Sequence, residues 1–322
     1  MKVEIAKKLN QLGKKREAFL FVIDYKAENL MLYPLPSDES KVKFRFPKVS
    51  NILEEKFKNP GDVHFSKTAI PFKTYEKAYQ LVNHHIRRGD SFLLNLTMPT
   101  KVECSLSLEE IFYATRATYK ILIPNHFTVF SPEIFVRIED NKIRSYPMKG
   151  TIDAAIENAE QKILNDSKEI DEHHTIVDLI RNDLNRVSKR VRVERFRYID
   201  RLKTNQKELL QVSSEICGDL DENWHEKIGD ILMELLPAGS ISGAPKPKTL
   251  EIISRAEITE RGYYTGVMGI YDGQSLDSAV MIRFIQNTES GLQYHSGGGI
   301  TINSQAESEY QELIDKVYVP LY

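Results

Sequence analysis

Tyr263-Tyr264-Thr265-Gly266-Val267-Met268-Gly269-Ile270-Tyr271-Asp272-Gly273-Gln274-Ser275-Leu276-Asp277-Ser278-Ala279-Val280-Met281-Ile282-Arg283-Phe284-Ile285 reads as two strands and a tight turn. Tyr263 to Tyr271 and Asp277 to Ile285 are apolar runs, and Asp272-Gly273 between them is a favoured hairpin dipeptide. Ser290-Gly291 then turns the chain into Gln293 to His295, so the C-terminal third is a meander. The same pattern appears earlier. His126 to Phe130, Glu133 to Ile138 and Lys142 to Tyr146 read as strands, with Asp140-Asn141 turning the last pair. Strands arrive in hairpins and helices fall between hairpin groups. That predicts an α+β fold, layered antiparallel sheets with helices packed on them, rather than alternating βαβ units.

The first seventy residues mix short strands (Phe19 to Tyr25, Leu30 to Tyr33) with basic, loop-like sequence. A helix is predicted from Thr74, where Tyr75, Tyr79, Val82 and Ile86 form one stripe and Gly89 offers a stop. Phe92 to Thr97 reads as a strand, and Ser107 with Glu110 makes a capping box for a helix through Tyr119. Two helices are predicted at about Asp153 to Asn165 and Ser167 to Asn185, then a strand at Val191 to Tyr198. Trp224 to Leu236 reads as helical, and a final helix begins near Gln305. With no repeat, low-complexity tract or Pro/Gly/Ser-rich linker, residues 1–322 read as one catalytic domain.

Composition narrows the class. The 322 residues are 41% hydrophobic, enough for a large core, and 44 Lys+Arg against 46 Asp+Glu leave a net charge of -2. No basic bias of the nucleic-acid-binding kind is present. Cys104 and Cys217 are far apart and outside metal-ligand spacing, which fits a reducing compartment. Ala18 to Ile23 is too short an apolar run for a signal peptide or a membrane span. A cytoplasmic protein with no membrane partner is expected.

The chemistry-bearing residues come next. Lys149 follows Glu133 by sixteen positions across the hairpin-like stretch, so an amine and a carboxyl could face one pocket as nucleophile and proton donor. Glu169 and Glu172 share a helix face, and Glu309 and Glu312 repeat that spacing on the last helix, with Lys316 one turn on. Four carboxylates brought together would suit Mg²⁺, which takes oxygen ligands; each pair alone reads more simply as a solvated helix face. Pro237 to Lys246 is rich in small residues but is no P-loop, because Ala244-Pro245 separate Gly243 from Lys246. It and Ser296 to Ile300 are either anion-binding backbone or plain tight turns. Arg283 inside an apolar run needs a carboxylate, from a ligand or from the chain itself.

Taken in order, these segments resemble the chorismate-utilising enzyme family, and within it the aminodeoxychorismate synthase component I branch. The matching stretches are Gly89-Asp90 through Thr97, Ser131-Pro132-Glu133, Pro147-Met148-Lys149-Gly150-Thr151, Asp171-Glu172-His173 through Arg181-Asn182-Asp183-Leu184, Pro237 to Lys246, Arg261 to Gly266, Ile282-Arg283, Gly297 to Ile300 and Glu309 to Lys316. The motif-bearing region is about 74–322, and the part before it (about 1–73) is shorter than is usual for the family.

The resemblance implies roles. Glu172 and Glu312 match Mg²⁺ ligands, with Glu169 and Glu309 as outer partners. Arg283, Tyr264 and the Gly298-Gly299 backbone match the grip on the enolpyruvyl carboxylate of chorismate, and Ser240 and Lys316 line the same pocket. Glu133 matches the acid that protonates the departing C4 hydroxyl. Lys149 stands where the anthranilate-forming branch carries a small residue, and would attack ring C2 before ammonia adds at C4. That requires a neutral lysine, hence a lowered pKa. The implied product is 4-amino-4-deoxychorismate, on the path to 4-aminobenzoate and folate.

Leu93 stands where isochorismate-forming relatives carry a water-activating lysine, and Gln211 where some relatives carry a histidine tied to pyruvate elimination. No stretch resembles a glutamine amidotransferase, so a separate glutaminase subunit is the implied ammonia source. Two alternatives stay open: an anthranilate synthase component I, and a non-catalytic chorismate-binding relative.

Overall fold

Residue by residue, β1 explains the architecture. In the computed structural model, which describes residues 1–38, 40–52, 61–203 and 208–319, α1 (Lys2–Lys14) leads into β1 (Phe19–Ile23), every residue of which is buried. Phe19, Phe21 and Ile23 pack with Ile5, Leu9, Ile176 and Leu232 on the helical side. Leu20 and Val22 pack with Phe44, Ile121, Phe127 and Met268 on the other. A strand covered on both faces reads as a continuous apolar run, which is how it looks in the sequence.

The chain continues through β2 (Leu30–Pro34), β3 (Lys43–Arg45), β4 (Phe65–Thr68), α2 (Phe72–Arg87), β5 (Leu93–Cys104) and α3 (Leu108–Ala114). Next come β6 (Tyr119–Ile123), β7 (Phe127–Ser131), β8 (Ile134–Glu139), β9 (Lys142–Ser145), β10 (Met148–Asp153), α4 (Ala159–Asn165) and α5 (Ser167–Asn185). β11 (Lys189–Lys203), β12 (Glu208–Asp219), α6 (Ile228–Leu235), α7 (Gly239–Ser242), β13 (Gly243–Ala244) and α8 (Lys246–Ala256) precede the C-terminal meander. That meander is β14 (Val267–Tyr271), β15 (Leu276–Val280), β16 (Phe284–Thr288) and β17 (Gly291–Ile300), closed by α9 (Ala306–Asp315).

Two antiparallel sheets result. A nine-stranded sheet runs β10-β12-β9-β8-β15-β14-β1-β2 with β11 on β12, and an eight-stranded sheet runs β13-β5-β17-β16-β7-β6-β3 with β4 on β5. Their facing sides share the Leu20–Phe284 core. α1, α5 and α6 cover the first sheet's outer face, and α2, α8 and α9 cover the second's. This is the expected α+β layering. Among the described residues no helix is long and apolar enough to cross a membrane.

Several expectations need correction. The capping box at Ser107 and Glu110 forms, but its helix stops at Ala114 rather than Tyr119. Tyr119 to Ile123 is fully buried and joins the second sheet as β6. The predicted helix from Asp153 starts only at Ala159, because Met148–Asp153 pairs with β12. Ser296 to Ile300 is ladder, paired to β5, not a turn. The run Asp277 to Ile285 is two strands in different sheets, broken at Met281 to Arg283, where Arg283 takes φ +54°.

That break has a counterpart. The chain crosses from the second sheet to the first between β7 and β8, through Pro132-Glu133, and returns between β15 and β16, through Met281 to Arg283. The two crossings are stitched together: Val280 N–H donates to Glu133 O (3.0 Å) and Phe130 N–H donates to Arg283 O (3.2 Å). The seam between the sheets therefore presents one carboxyl and one guanidinium side by side.

Candidate active site

A cavity of about 610 Å³ opens at this seam. Its lining includes all twelve residues singled out from the sequence: Glu133, Lys149, Glu169, Glu172, Ser240, Tyr264, Arg283, Gly298, Gly299, Glu309, Glu312 and Lys316. They come from both sheets and from α5, α7 and α9. Leu93 and Gln211 line it too, as do Asn95, Asp183 and His295, to which the sequence reading gave no role.

Lys149 owes its place to a bulge in β10. Register with β12 shifts between Lys149 and Thr151, and Gly150 sits at φ +73°. A side chain at Gly150 would be strained by that φ and would also meet Glu169 Oε2 at 3.1 Å. Lys149 Nζ donates to Glu172 Oε2 at 2.9 Å. Burial alone would lower the lysine's pKa, but the charge and hydrogen bond of Glu172, with Glu169 and Glu312 behind, outweigh it and hold the pKa above the ordinary value. The expectation of a lowered lysine is therefore corrected for the ligand-free protein: Lys149 is an ammonium.

Glu133 has the opposite environment. Burial pushes its carboxyl above the usual range, opposed by a hydrogen bond from Ser240 Oγ and by the charges of Lys149, Lys316 and Arg283. A raised carboxyl is what proton donation near neutral pH needs. Ser240 reaches it from α7, a single turn after the small residues Ala238-Gly239.

Arg283 Nη1 donates to Lys316 O at 3.3 Å, and its guanidinium lies 4.9 Å from the Tyr318 ring centroid. No carboxylate of the chain is paired with it among the described residues, so the alternative of a structural salt bridge is not what holds it. Tyr264 is buried beside it, its hydroxyl pushed far up by burial.

The second carboxylate pair lies across the cavity. Lys316 Nζ donates to Glu312 Oε1 (2.6 Å) and Gly297 O (2.9 Å). Glu312 Oε1 and Glu309 Oε2 stand 3.2 and 3.4 Å from where a Cβ on Gly298 would sit. Among the described residues no three His, Cys, Asp or Glu groups converge on one point as metal ligands do. The donor set is all oxygen and fits a hard divalent cation; here, however, lysine ammoniums hold Glu172 and Glu312.

The sequence profile of the family described as chorismate binding enzyme matches residues 14–322. The chain belongs to the chorismate-binding enzyme family. A Haemophilus influenzae protein described as an uncharacterized PabA-like protein is 50% identical over 313 residues, covering 97% of this chain and 95% of its own. A similarly described Pasteurella multocida protein is 49% identical over 315 residues, 97% of each. Anthranilate synthase component 1 1 of Haloarcula marismortui is 33% identical over 262 residues, 76% of this chain and 52% of its own. This chorismate-binding enzyme thus spans about half the length of that relative.

Among solved structures, anthranilate synthase component I from Streptococcus pneumoniae superposes with TM-score 0.68 at 25% identity, over 80% of this chain and 59% of that one. The menaquinone-specific isochorismate synthase of Escherichia coli gives TM-score 0.74 at 18% identity, over 96% and 79%, a likeness of fold.

Proposed function

We propose that this chain is aminodeoxychorismate synthase component I, a cytoplasmic Mg²⁺-dependent enzyme that aminates chorismate at C4. The observation that carries the reading is Lys149 in one cavity with a buried, raised Glu133 and two Glu-x-x-Glu pairs. Lys149 is the group that separates amination at C4 from amination at C2.

In this reading the Lys149 amine bonds to ring C2, both ring double bonds shift toward C4, and the C4 hydroxyl leaves as water with the Glu133 proton. Ammonia then bonds to C4, both double bonds shift back, and the bond from C2 to the Lys149 nitrogen breaks. Lys149 must first part from Glu172 and lose its proton. Arg283, Tyr264 and the Gly298-Gly299 backbone orient the enolpyruvyl carboxylate, with Ser240 and Lys316 beside them. Glu172 and Glu312, with Glu169 and Glu309 around them, would hold Mg²⁺, which neutralises the ring carboxylate. Leu93 offers no group to activate water.

The ammonia comes from a separate glutamine amidotransferase subunit. Cys217 is buried with its thiol pushed up by burial, Cys104 lies at the end of β5, and neither lines the cavity. Free ammonia at high pH replaces that subunit. The product leads to 4-aminobenzoate and folate.

The test is a product assay with purified chain, chorismate, Mg²⁺ and ammonium, with and without aminodeoxychorismate lyase. Lyase-dependent 4-aminobenzoate is expected, and Lys149→Ala should slow it by on the order of a hundredfold or more. The anthranilate synthase relatives favour a second reading, amination at C2. Anthranilate formed by this chain alone would establish that reading, and chorismate binding without product would make it a non-catalytic binder.

A further inference from the structure

Along β17, residues 295, 297 and 299 fall on one side of the strand, because side chains alternate. Two of the three are glycine; a Cβ on Gly297 would meet the β5 backbone, with Leu96 O at 2.2 Å, whereas one on Gly299 would face cavity-lining side chains. At one end Lys149 Nζ and Leu93 Cδ1 stand 3.7 and 3.0 Å from where a Cβ on Gly299 would be. At the other end the first side chain is His295, four residues back, about 13 Å along the strand.

His295 lines the cavity although the residue is only 3% exposed. Its ring lies against Tyr264 (centroids 5.1 Å) and edge-on to Phe284 (6.1 Å, 82°). Gln286 Nε2, which also faces Gln293 Oε1, lies 3.0 Å from His295 Nε2. An amide nitrogen can only donate, so His295 Nε2 accepts and the ring proton sits on Nδ1. Burial, with the charge of Arg261, lowers the pKa to about 4, so the ring is neutral in the working range. Nδ1 makes no hydrogen bond among the described residues, and the residue lines the cavity.

We propose that His295 is a substrate-binding residue that donates its Nδ1–H to the carboxylate-bearing side chain of the ligand, in the part of the cavity away from Lys149. This rests on the reading of the cavity as the chorismate site. It places a neutral donor beside Tyr264, adding to the hold on an anion without adding charge. Gln286 acts through His295, by fixing the tautomer.

The test is direct binding of chorismate in Mg²⁺ by calorimetry, with turnover measured in parallel. Asn places an amide donor near the Nδ1 position, whereas Gln reaches the Nε2 position. His295→Ala and His295→Gln should weaken chorismate binding about tenfold to a hundredfold, the range for a hydrogen bond to a charged group, and His295→Asn should restore most of it. If His295→Ala fails to fold, the Asn and Gln variants decide. Equal binding by wild type and His295→Gln, or equal loss in Asn and Gln, overturns the proposal, the latter by assigning the ring to packing. Wild-type chain that binds chorismate but makes no aminodeoxychorismate refutes the proposed reaction and leaves the binding comparison intact. Wild-type chain that binds no chorismate refutes both.

Discussion

Ser240→Ala removes the hydroxyl that donates to Glu133 Oε1. That bond favours the charged carboxylate, so its loss should raise Glu133 further above its already elevated position. A hydrogen bond to a charged group contributes about 1.5–3 kcal/mol, and 1.36 kcal/mol corresponds to a tenfold change in the protonation equilibrium. As a general acid, Glu133 works while protonated and fails as pH rises through its pKa. The alkaline limb of kcat/KM, measured at fixed free ammonia, should therefore move up by about one to two pH units.

Stability gives an independent readout. Glu133 has a folded pKa above its unfolded value, so its contribution is fully present below the ordinary carboxylate range and is lost as pH rises through the folded pKa. Urea unfolding of Ser240→Ala should show, above Glu133's folded pKa, a penalty of about 1.5–3 kcal/mol beyond that below the ordinary carboxylate range. In a Glu133→Gln background that pH dependence should vanish. An alkaline limb that stays put or moves down, with a pH-independent penalty, would refute the assignment of Glu133 as the titrating acid.

Three further outcomes are expected. Glu172→Gln removes the largest charge holding Lys149 protonated, so burial should prevail and the lysine's pKa should fall; pH-dependent labelling of Lys149 by an amine reagent, read by peptide mass, checks this. Gly298→Ala puts a methyl 3.2 Å from Glu312 Oε1 and 3.4 Å from Glu309 Oε2; Mn²⁺ binding followed by electron paramagnetic resonance should weaken while urea unfolding changes by less than about 1 kcal/mol. Arg261→Met breaks a buried pair with Glu257 and strips donors from Ile241 O and Asn95 O, so the unfolding free energy should drop by about 3–5 kcal/mol; Glu257→Leu added to it should recover part of that loss.

What could be read from the chain follows physical lines. Asp140 and Asn141 both take positive φ, as a two-residue turn of the mirror-image type requires, and the hairpin they make was legible. Helix α1 was not: Ile5 and Leu9 are correctly spaced, but the lysines around them made the segment look like loop. β10 escaped because its bulge sets Lys149 and Gly150 where an alternating pattern should be. The split of Asp277 to Ile285 escaped because an arginine at positive φ has no composition signal. At the site, which residues meet was legible from motif order. The charge state of Lys149 was not, since it depends on Glu172, twenty-three positions away on α5, lying 2.9 Å from its Nζ.

β1 pairs with β14, Ile23 facing Val267, and takes its place between β2 and β14. During synthesis, therefore, β1 leaves the ribosome long before its neighbour β14 exists. Until then it offers an unpaired apolar edge, the kind that chaperones cover. Glu309, Glu312 and Lys316 are made later still, after every strand. A chain stopped just before α9 would carry the sheet framework but lack one side of the cavity. Chains lacking α9 should thus be inert rather than weakly active, and binding at the seam becomes a report that α9 has found its place.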